Sequence, residues 1–245
     1  MTGSESPEGA LDLRERGAPK DGQPSTLDTR LFMQLLVYQV TRGTEVAHVR
    51  GKLAQLLQDG GHPAVLYRDF NHPRGLAVLS WSQDPNDFIQ HLHPRLAEVE
   101  ELELRPELTQ VGRSYSSGFE PDLSFWLLER PIATVSNPNW RWAVWYPLRR
   151  TGAFEQLPAA DRGRILHEHA AIGRSYGTSD LVHDVRLACH GLDANDNEFV
   201  LGLVGKDLYP LSHVVQAMRK TQQTSQYIAH MGPFFVGYAE WQAPR

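Results

Sequence analysis

Cysteine is almost absent: Cys189 is the single one among 245 residues. One thiol excludes an intramolecular disulfide and any cysteine-built cluster. Cys189 lies in what reads as a strand, and it is expected to pack as a small apolar residue. Long apolar runs are missing too. No stretch reads as a membrane span and none as the apolar core of a signal peptide, so the reading is of a cytoplasmic protein. Positive charge is also short. A formal net charge of -5 leaves no broad basic footprint, so no nucleic-acid partner is expected and any anionic ligand must be met by individually placed arginines.

What is present suits a soluble globular chain: 41% hydrophobic and 22% charged residues, enough for a sizeable core. Residues 1–28 are rich in Gly, Pro, Ser and charge and are expected to form a flexible N-terminal tail. From Leu31 to Val40 an apolar run predicts a buried strand. Thr44 is placed to cap a helix whose apolar positions Val49, Leu53, Leu56 and Leu57 recur at helical spacing, and Gly60-Gly61 ends it. Ala64 to Phe70 and Gly75 to Trp81 predict a hairpin turning at Asn71-His72-Pro73-Arg74. Asp84-Pro85 opens a second helix, expected to end near Leu92-His93-Pro94, and Leu108 to Ser114 reads as a strand. The order is βαββαβ.

The same order recurs downstream. Trp140 to Tyr146 reads as a strand, followed by a helix opening at Leu157-Pro158, strands over Leu181 to His190 and Glu198 to Val204, a helix from Leu211, and a last strand from Pro233 to Trp241. A βαββαβ unit is the ferredoxin-like arrangement, so the expected fold is α+β: two ferredoxin-like repeats, residues 29–119 and 140–245, forming a dimeric α/β barrel within one chain. Residues 120–139 are expected to be an ordered connector, because Phe125, Trp126, Leu127 and Leu128 are too apolar for disorder.

One helix carries a histidine on its apolar side. Ile165, His169 and Ile172 fall three and four residues apart, so His169 should look inward, while Arg164, His167 and Arg174 share the outer side. A buried neutral imidazole needs a partner, since leaving it unsatisfied costs on the order of 1–3 kcal/mol. That partner is either a carbonyl or a metal. In the preceding strand, alternation puts Trp142, Val144 and Tyr146 on one face, where Tyr146 reads as a barrel-wall aromatic. His91 and His93 receive no role, and the repeated Gly-Arg-Ser-Tyr of Gly112-Arg113-Ser114-Tyr115 reads as coincidence.

Four segments in order carry a resemblance: Trp145-Tyr146-Pro147-Leu148-Arg149-Arg150, His169-Ala170-Ala171-Ile172-Gly173-Arg174-Ser175-Tyr176, Gly191-Leu192-Asp193, and Met218-Arg219 through Ser225 to Gly237. Together they make the chain, from about Leu31 to about Trp241, resemble the chlorite dismutase-like family of haem proteins, in its coproheme decarboxylase branch. The resemblance implies that His169 is the proximal ligand of haem iron. It further implies that Tyr146 is the radical-forming tyrosine, with Arg150, Ser225 and Arg130 as contacts to the propionates. It implies coproheme and hydrogen peroxide as substrates, haem b as product, and a ring-shaped homopentamer. The distal group stays open. The family position, thirteen residues after His169, holds Val182, and counting back from Gly191-Leu192-Asp193 puts Asp184 there instead. Asp184 or His183 is then the acid–base group, His183 facing away unless a bulge intervenes, and Arg186 serves if the register shifts by two. Two further readings stand beside this one: chlorite decomposition or haem peroxidase chemistry, and a non-catalytic haem-binding or haem-sensing barrel.

Overall fold

The computed structural model describes residues 11–20 and 22–244. A polar hairpin comes first, β1 (Glu15–Lys20) and β2 (Gln23–Leu27), paired antiparallel. Part of the predicted tail is therefore ordered, and tertiary contacts hold it: Glu15 pairs with Arg30 and Arg113, and the Ala18 N–H donates to the Glu120 carbonyl at 2.9 Å. The remainder of that tail, residues 1–10, lies outside the described residues.

The main sheet takes its strands from both halves. β3 (Phe32–Val40), α1 (Val46–Asp59), β4 (Ala64–Asp69) and β5 (Gly75–Ser82) follow the predicted order. The first cap sits one residue later than expected, at Glu45 rather than Thr44. The next helix does not stop at Leu92-His93-Pro94. A π-turn, Phe88–Leu92, runs into α2 (His93–Ala97), so the helix continues through Pro94, whose missing N–H and ring the wider turn accommodates. A short strand β6 (Leu102–Leu104) and then β7 (Gln110–Arg113) complete this half. The connector repeats the device: a π-turn, Phe125–Glu129, leads into α3 (Arg130–Val135) through Pro131.

In the second half come β8 (Trp142–Arg150), α4 (Gly152–Glu155), α5 (Ala159–Thr178), β9 (His183–Ala188), β10 (Phe199–Gly205), α6 (Leu208–Met218), α7 (Gln222–Tyr227), β11 (Ile228–Met231) and β12 (Phe235–Gln242). The strands run β7-β3-β5-β4-β12-β8-β10-β9, all antiparallel, and β9 returns to β7 through Arg113 opposite Ala188. The fold is thus α+β with a large antiparallel sheet closed on itself.

Period-2 alternation divides each strand between the barrel interior and an outer, helix-covered face. Inside lie Leu35, Tyr67, Ala143, Trp145, Val185 and Leu187. Cys189 joins them with its thiol donating to the Asn197 carbonyl at 3.0 Å, and burial pushes its pKa up to about 12, which suits packing rather than reactivity. Gly202 is required here: a Cβ would stand 2.5 Å from the Trp145 ring. Outside, α1 and the π-turn leading into α2 cover one stretch of sheet through Val49, Leu53, Phe88 and Leu92, and α5 and α6, through Ile172, Leu211 and Val214, cover another that carries Val144, Tyr146 and Leu203. Among the described residues, no helix is long and apolar enough to cross a membrane.

Candidate functional site

The second covered face is where the sequence-predicted residues converge. On β8, Val144, Tyr146 and Leu148 point out of the barrel. Across the sheet Tyr146 is in register with Leu201 of β10, and Leu201 with Arg186 of β9, so Tyr146 and Arg186 occupy one row about 10 Å apart at ordinary strand spacing. Val144, Leu203 and Asp184 form the adjacent row. Above this wall lies α5, with Ile165 buried, Ile172 and Tyr176 packed on the cluster, His169 half-buried, and His167 exposed as its spacing predicts.

Burial pulls the His169 pKa below the usual imidazole value and the Arg186 charge adds to this, so the ring is neutral at pH 7. Its Nδ1 lies 3.4 Å from the Thr221 hydroxyl. Tyr146 is buried and stacked on Phe234, ring centroids 4.5 Å apart. Burial pushes its pKa up to about 12, with Arg219 acting in the opposite direction. Its hydroxyl makes no hydrogen bond among the described residues.

Asp184 has both carboxylate oxygens occupied. Arg130 donates to Oδ1 at 2.7 Å and to the Asp184 carbonyl at 2.9 Å, while the Arg186 Nε lies 3.0 Å from Oδ2. Burial works to raise the Asp184 pKa, and the two guanidiniums outweigh it, holding the carboxyl below its usual range. Such a carboxylate is a fixed anion, poorly suited to exchanging a proton with peroxide near neutral pH. The other predicted acid–base residue, His183, is on the wrong side. It stacks on Trp140 at 3.4 Å, its Nε2 lies 2.9 Å from Asp180 Oδ1, and no bulge turns it toward Tyr146. Arg186, by contrast, stands in the row of Tyr146.

The expected propionate contacts are more engaged than the sequence suggests. Arg150 is on the right strand, but Glu198 at 3.1 Å and Glu155 at 3.0 Å pair with it, and it lies over the rings of Phe154 and Phe199. Ser225, exposed on α7, donates to the Thr221 carbonyl at 2.8 Å. Arg130 supports Asp184 and lies over the Trp126 ring.

A profile of the chlorite dismutase family matches residues 83–240, more than half of the chain. The chain belongs to that family. A search of curated proteins found no match. Among solved structures, a heme-binding protein from Thermus thermophilus is similar, with 19% identity and a TM-score of 0.69 over 86% of this chain and 91% of that one. Chlorite dismutase from Candidatus Nitrospira defluvii, solved with imidazole, is 14% identical with a TM-score of 0.65, over 86% and 91% of the two chains. At these identities the structures show a shared fold.

The donor set in this chlorite dismutase family member fits an iron porphyrin. Among the described residues there is no group of three or more His, Cys, Asp or Glu able to hold a bare metal ion; a single neutral imidazole such as His169 suits an iron whose other ligands a macrocycle supplies. The apolar wall of Ile172, Leu201, Leu203, Met218 and Phe234 suits the faces of such a ring. Three neighbours escaped the sequence reading. Tyr115, read as coincidence, packs its ring on Phe199 at 5.4 Å, and it joins Trp126, Arg130 and Arg186 around a cleft. Burial raises its pKa against the pull of Arg186 and Arg150. Arg219 is exposed, without an ion pair among the described residues, and near enough to act on Tyr146. Thr221 is buried beneath His169. For Arg219, the quoted Met218-Arg219 pair was the available signal.

Proposed function

We propose that this chain is a coproheme decarboxylase, an oxidoreductase that takes iron coproporphyrin III and hydrogen peroxide to haem b. The observation supporting it most is Tyr146, buried in the wall that looks toward His169, with a hydroxyl unbonded among the described residues and a pKa pushed up to about 12. Bound through His169, the porphyrin iron supplies the oxidising power drawn from peroxide. For each propionate, written as the acid, one peroxide is consumed and one vinyl group, one carbon dioxide and two waters are formed. Tyr146 gives up an electron and its phenolic proton together, since so weak an acid is not ionised at neutral pH. Its oxygen would then take a hydrogen atom from the propionate chain, restoring the phenol, and loss of carbon dioxide would release the chain's remaining electron together with the carboxyl proton, both consumed in reducing the peroxide to water. Arg219 and Tyr115 would meet carboxylates by charge-assisted hydrogen bonds, and Arg186 would do so through the guanidinium nitrogens other than the Nε that pairs with Asp184. Arg150 joins them only by giving up Glu155 or Glu198, and Ser225 through its exposed hydroxyl. The strand order in each half (fourth, first, third, second) supports reading the two halves as ferredoxin-like repeats.

The test loads apoprotein with iron coproporphyrin III, adds peroxide in stoichiometric portions and follows porphyrin mass. Two successive losses of a carboxyl group, abolished in Tyr146→Phe, are expected. An unchanged mass alongside a bound-porphyrin spectrum rejects the proposal. One observation favours a second reading: Arg186 faces His169 closely enough to shift its pKa and offers a cation to a small oxyanion, as chlorite decomposition to chloride and oxygen would need. Oxygen release from chlorite by the haem b-loaded protein, lost in Arg186→Ala, would decide for it.

A further inference from the structure

The hydrogen bonds beneath His169 bear on which ring nitrogen carries the proton. The Thr221 hydroxyl has one hydrogen, and the Met218 carbonyl is an acceptor 2.8 Å away. Its lone pairs face two nitrogens: the Thr224 backbone N–H, which donates at 3.4 Å to cap α7, and Nδ1 of His169, also at 3.4 Å. The Thr224 hydroxyl stands at 3.2 Å, a longer alternative for that hydrogen than the Met218 carbonyl. With the hydrogen committed to Met218, Thr221 can meet His169 only as an acceptor, so Nδ1 must bear the ring proton. The neighbouring Glu168 carboxylate accepts from the Gln222 N–H at 3.1 Å and makes no hydrogen bond to His169 among the described residues. Thr221 is 1% exposed, so no bulk water replaces it.

We propose that Thr221 is the positioning residue of this site, holding His169 in the Nδ1–H tautomer so that Nε2 presents its lone pair to the iron of a porphyrin. This rests on His169 as the ligand. A histidine that ligates a metal ordinarily donates its other N–H to a carboxylate, a carbonyl or water, which sets ring orientation and ligand basicity. A neutral hydroxyl acceptor draws the N–H proton less than a carboxylate does. The imidazole is therefore a weaker electron donor, and the bound iron is easier to reduce than with a carboxylate in the same place.

The test begins with the full-length apoprotein labelled with nitrogen-15 at histidine, His169 being assigned by the signal missing from His169→Ala. Long-range proton–nitrogen correlation should show Nδ1 protonated and Nε2 bare in wild type and in Thr221→Ser. Thr221→Val should shift the ring toward the other tautomer. Wild-type protein found in the Nε2–H form overturns the proposal even if the valine variant fails to fold, and so does a folded Thr221→Val that keeps the wild-type tautomer. After loading with haem b, Thr221→Val should bind about 10-fold more weakly and show a broadened, lowered iron–histidine stretching vibration, with serine restoring it. Thr221→Asp should move the iron potential downward; an unmoved potential counts against the proposal. If His169→Ala leaves the loaded spectrum and that vibration unchanged, the ligand assignment fails separately, whatever the tautomer.

Discussion

Tyr146 and Asp184 are both polar groups on one sheet face, and their surroundings assign them opposite tasks. Tyr146 has no protein partner for its hydroxyl among the described residues, so Tyr146→Phe removes one oxygen without leaving a hydrogen bond broken. The variant should keep its thermal midpoint within a few degrees while losing decarboxylation, measured by scanning calorimetry and porphyrin mass. Asp184 is held by two arginines. A true general base would cost about 10²–10⁴ in rate when removed; Asp184→Asn should cost less than about tenfold in peroxide turnover by stopped flow. Arg130→Ala should lower unfolding stability by on the order of 1–2 kcal/mol in denaturant titration, because it leaves the Asp184 carbonyl and Oδ1 without their donors. Alternation along β9 already put His183 on the far side from Asp184, and the structure agrees. The pairing of Asp184 was not legible, since Arg130 reaches it from 54 residues away.

Helix α5 carries little apolar surface beyond Ile165, His169, Ile172 and Tyr176, and its burial depends on α6, α7 and the sheet. The Tyr176 hydroxyl, 2.5 Å from His213 Nδ1, ties it to α6. Helix α1 sits on a separate cluster with Leu53 wholly buried. Leu53→Ala should therefore cost about 2–5 kcal/mol by denaturant unfolding and leave the haem-loaded absorption spectrum unchanged. The two π-turns explain how helices pass Pro94 and Pro131, where the local rule predicts an end: a wider turn removes the clash with the preceding carbonyl. The hairpin β1–β2 escaped notice because its residues are polar, and its order comes from Glu15, Ser116 and Glu120.

Taken as a whole, the molecule should be sensitive to mild acid. Burial holds the pKa values of His62, His93, His169 and His183 below the unfolded value, with smaller effects of neighbouring charges at three of them. Below about pH 6.5 the unfolded chain takes up protons that these rings refuse, so stability falls as pH drops through that value. A second loss follows at lower pH. At Glu120 burial opposes ionisation, but the Ser116 and Ser117 hydroxyls and the Ser117 backbone N–H bring its pKa down to about 2, and Asp184 is depressed as well. Their stabilisation is present above the unfolded carboxylate pKa and disappears as pH falls through the folded one. Asp69, raised by burial, works the other way. The thermal midpoint of the apoprotein should thus decline from pH 7 to 5 and more steeply below 4; a flat profile between 7 and 5 would contradict this. A native mass of a single 27.7 kDa chain would reject the pentameric ring that the family resemblance implies.

Local pattern determined a good deal by itself. Period 2 and period 3.6 are properties of neighbours in the chain, so the strands of both halves, the inward turn of His169 and the outward turn of His167 could be read directly. The ordered motifs around Tyr146, His169 and Met218-Arg219 were equally local, and they pointed to the family. Tertiary structure alone decided the rest. Which charges are free depends on partners brought together by sheet closure: Arg150 is neutralised by Glu198 and Glu155, Asp184 is clamped by Arg130 and Arg186, and Arg219 is left unpaired among the described residues. Tyr115 meets Phe199, and Thr221 meets His169, through contacts that no spacing encodes. Periodicity places a side chain on a face, whereas electrostatics and hydrogen bonding depend on what stands opposite.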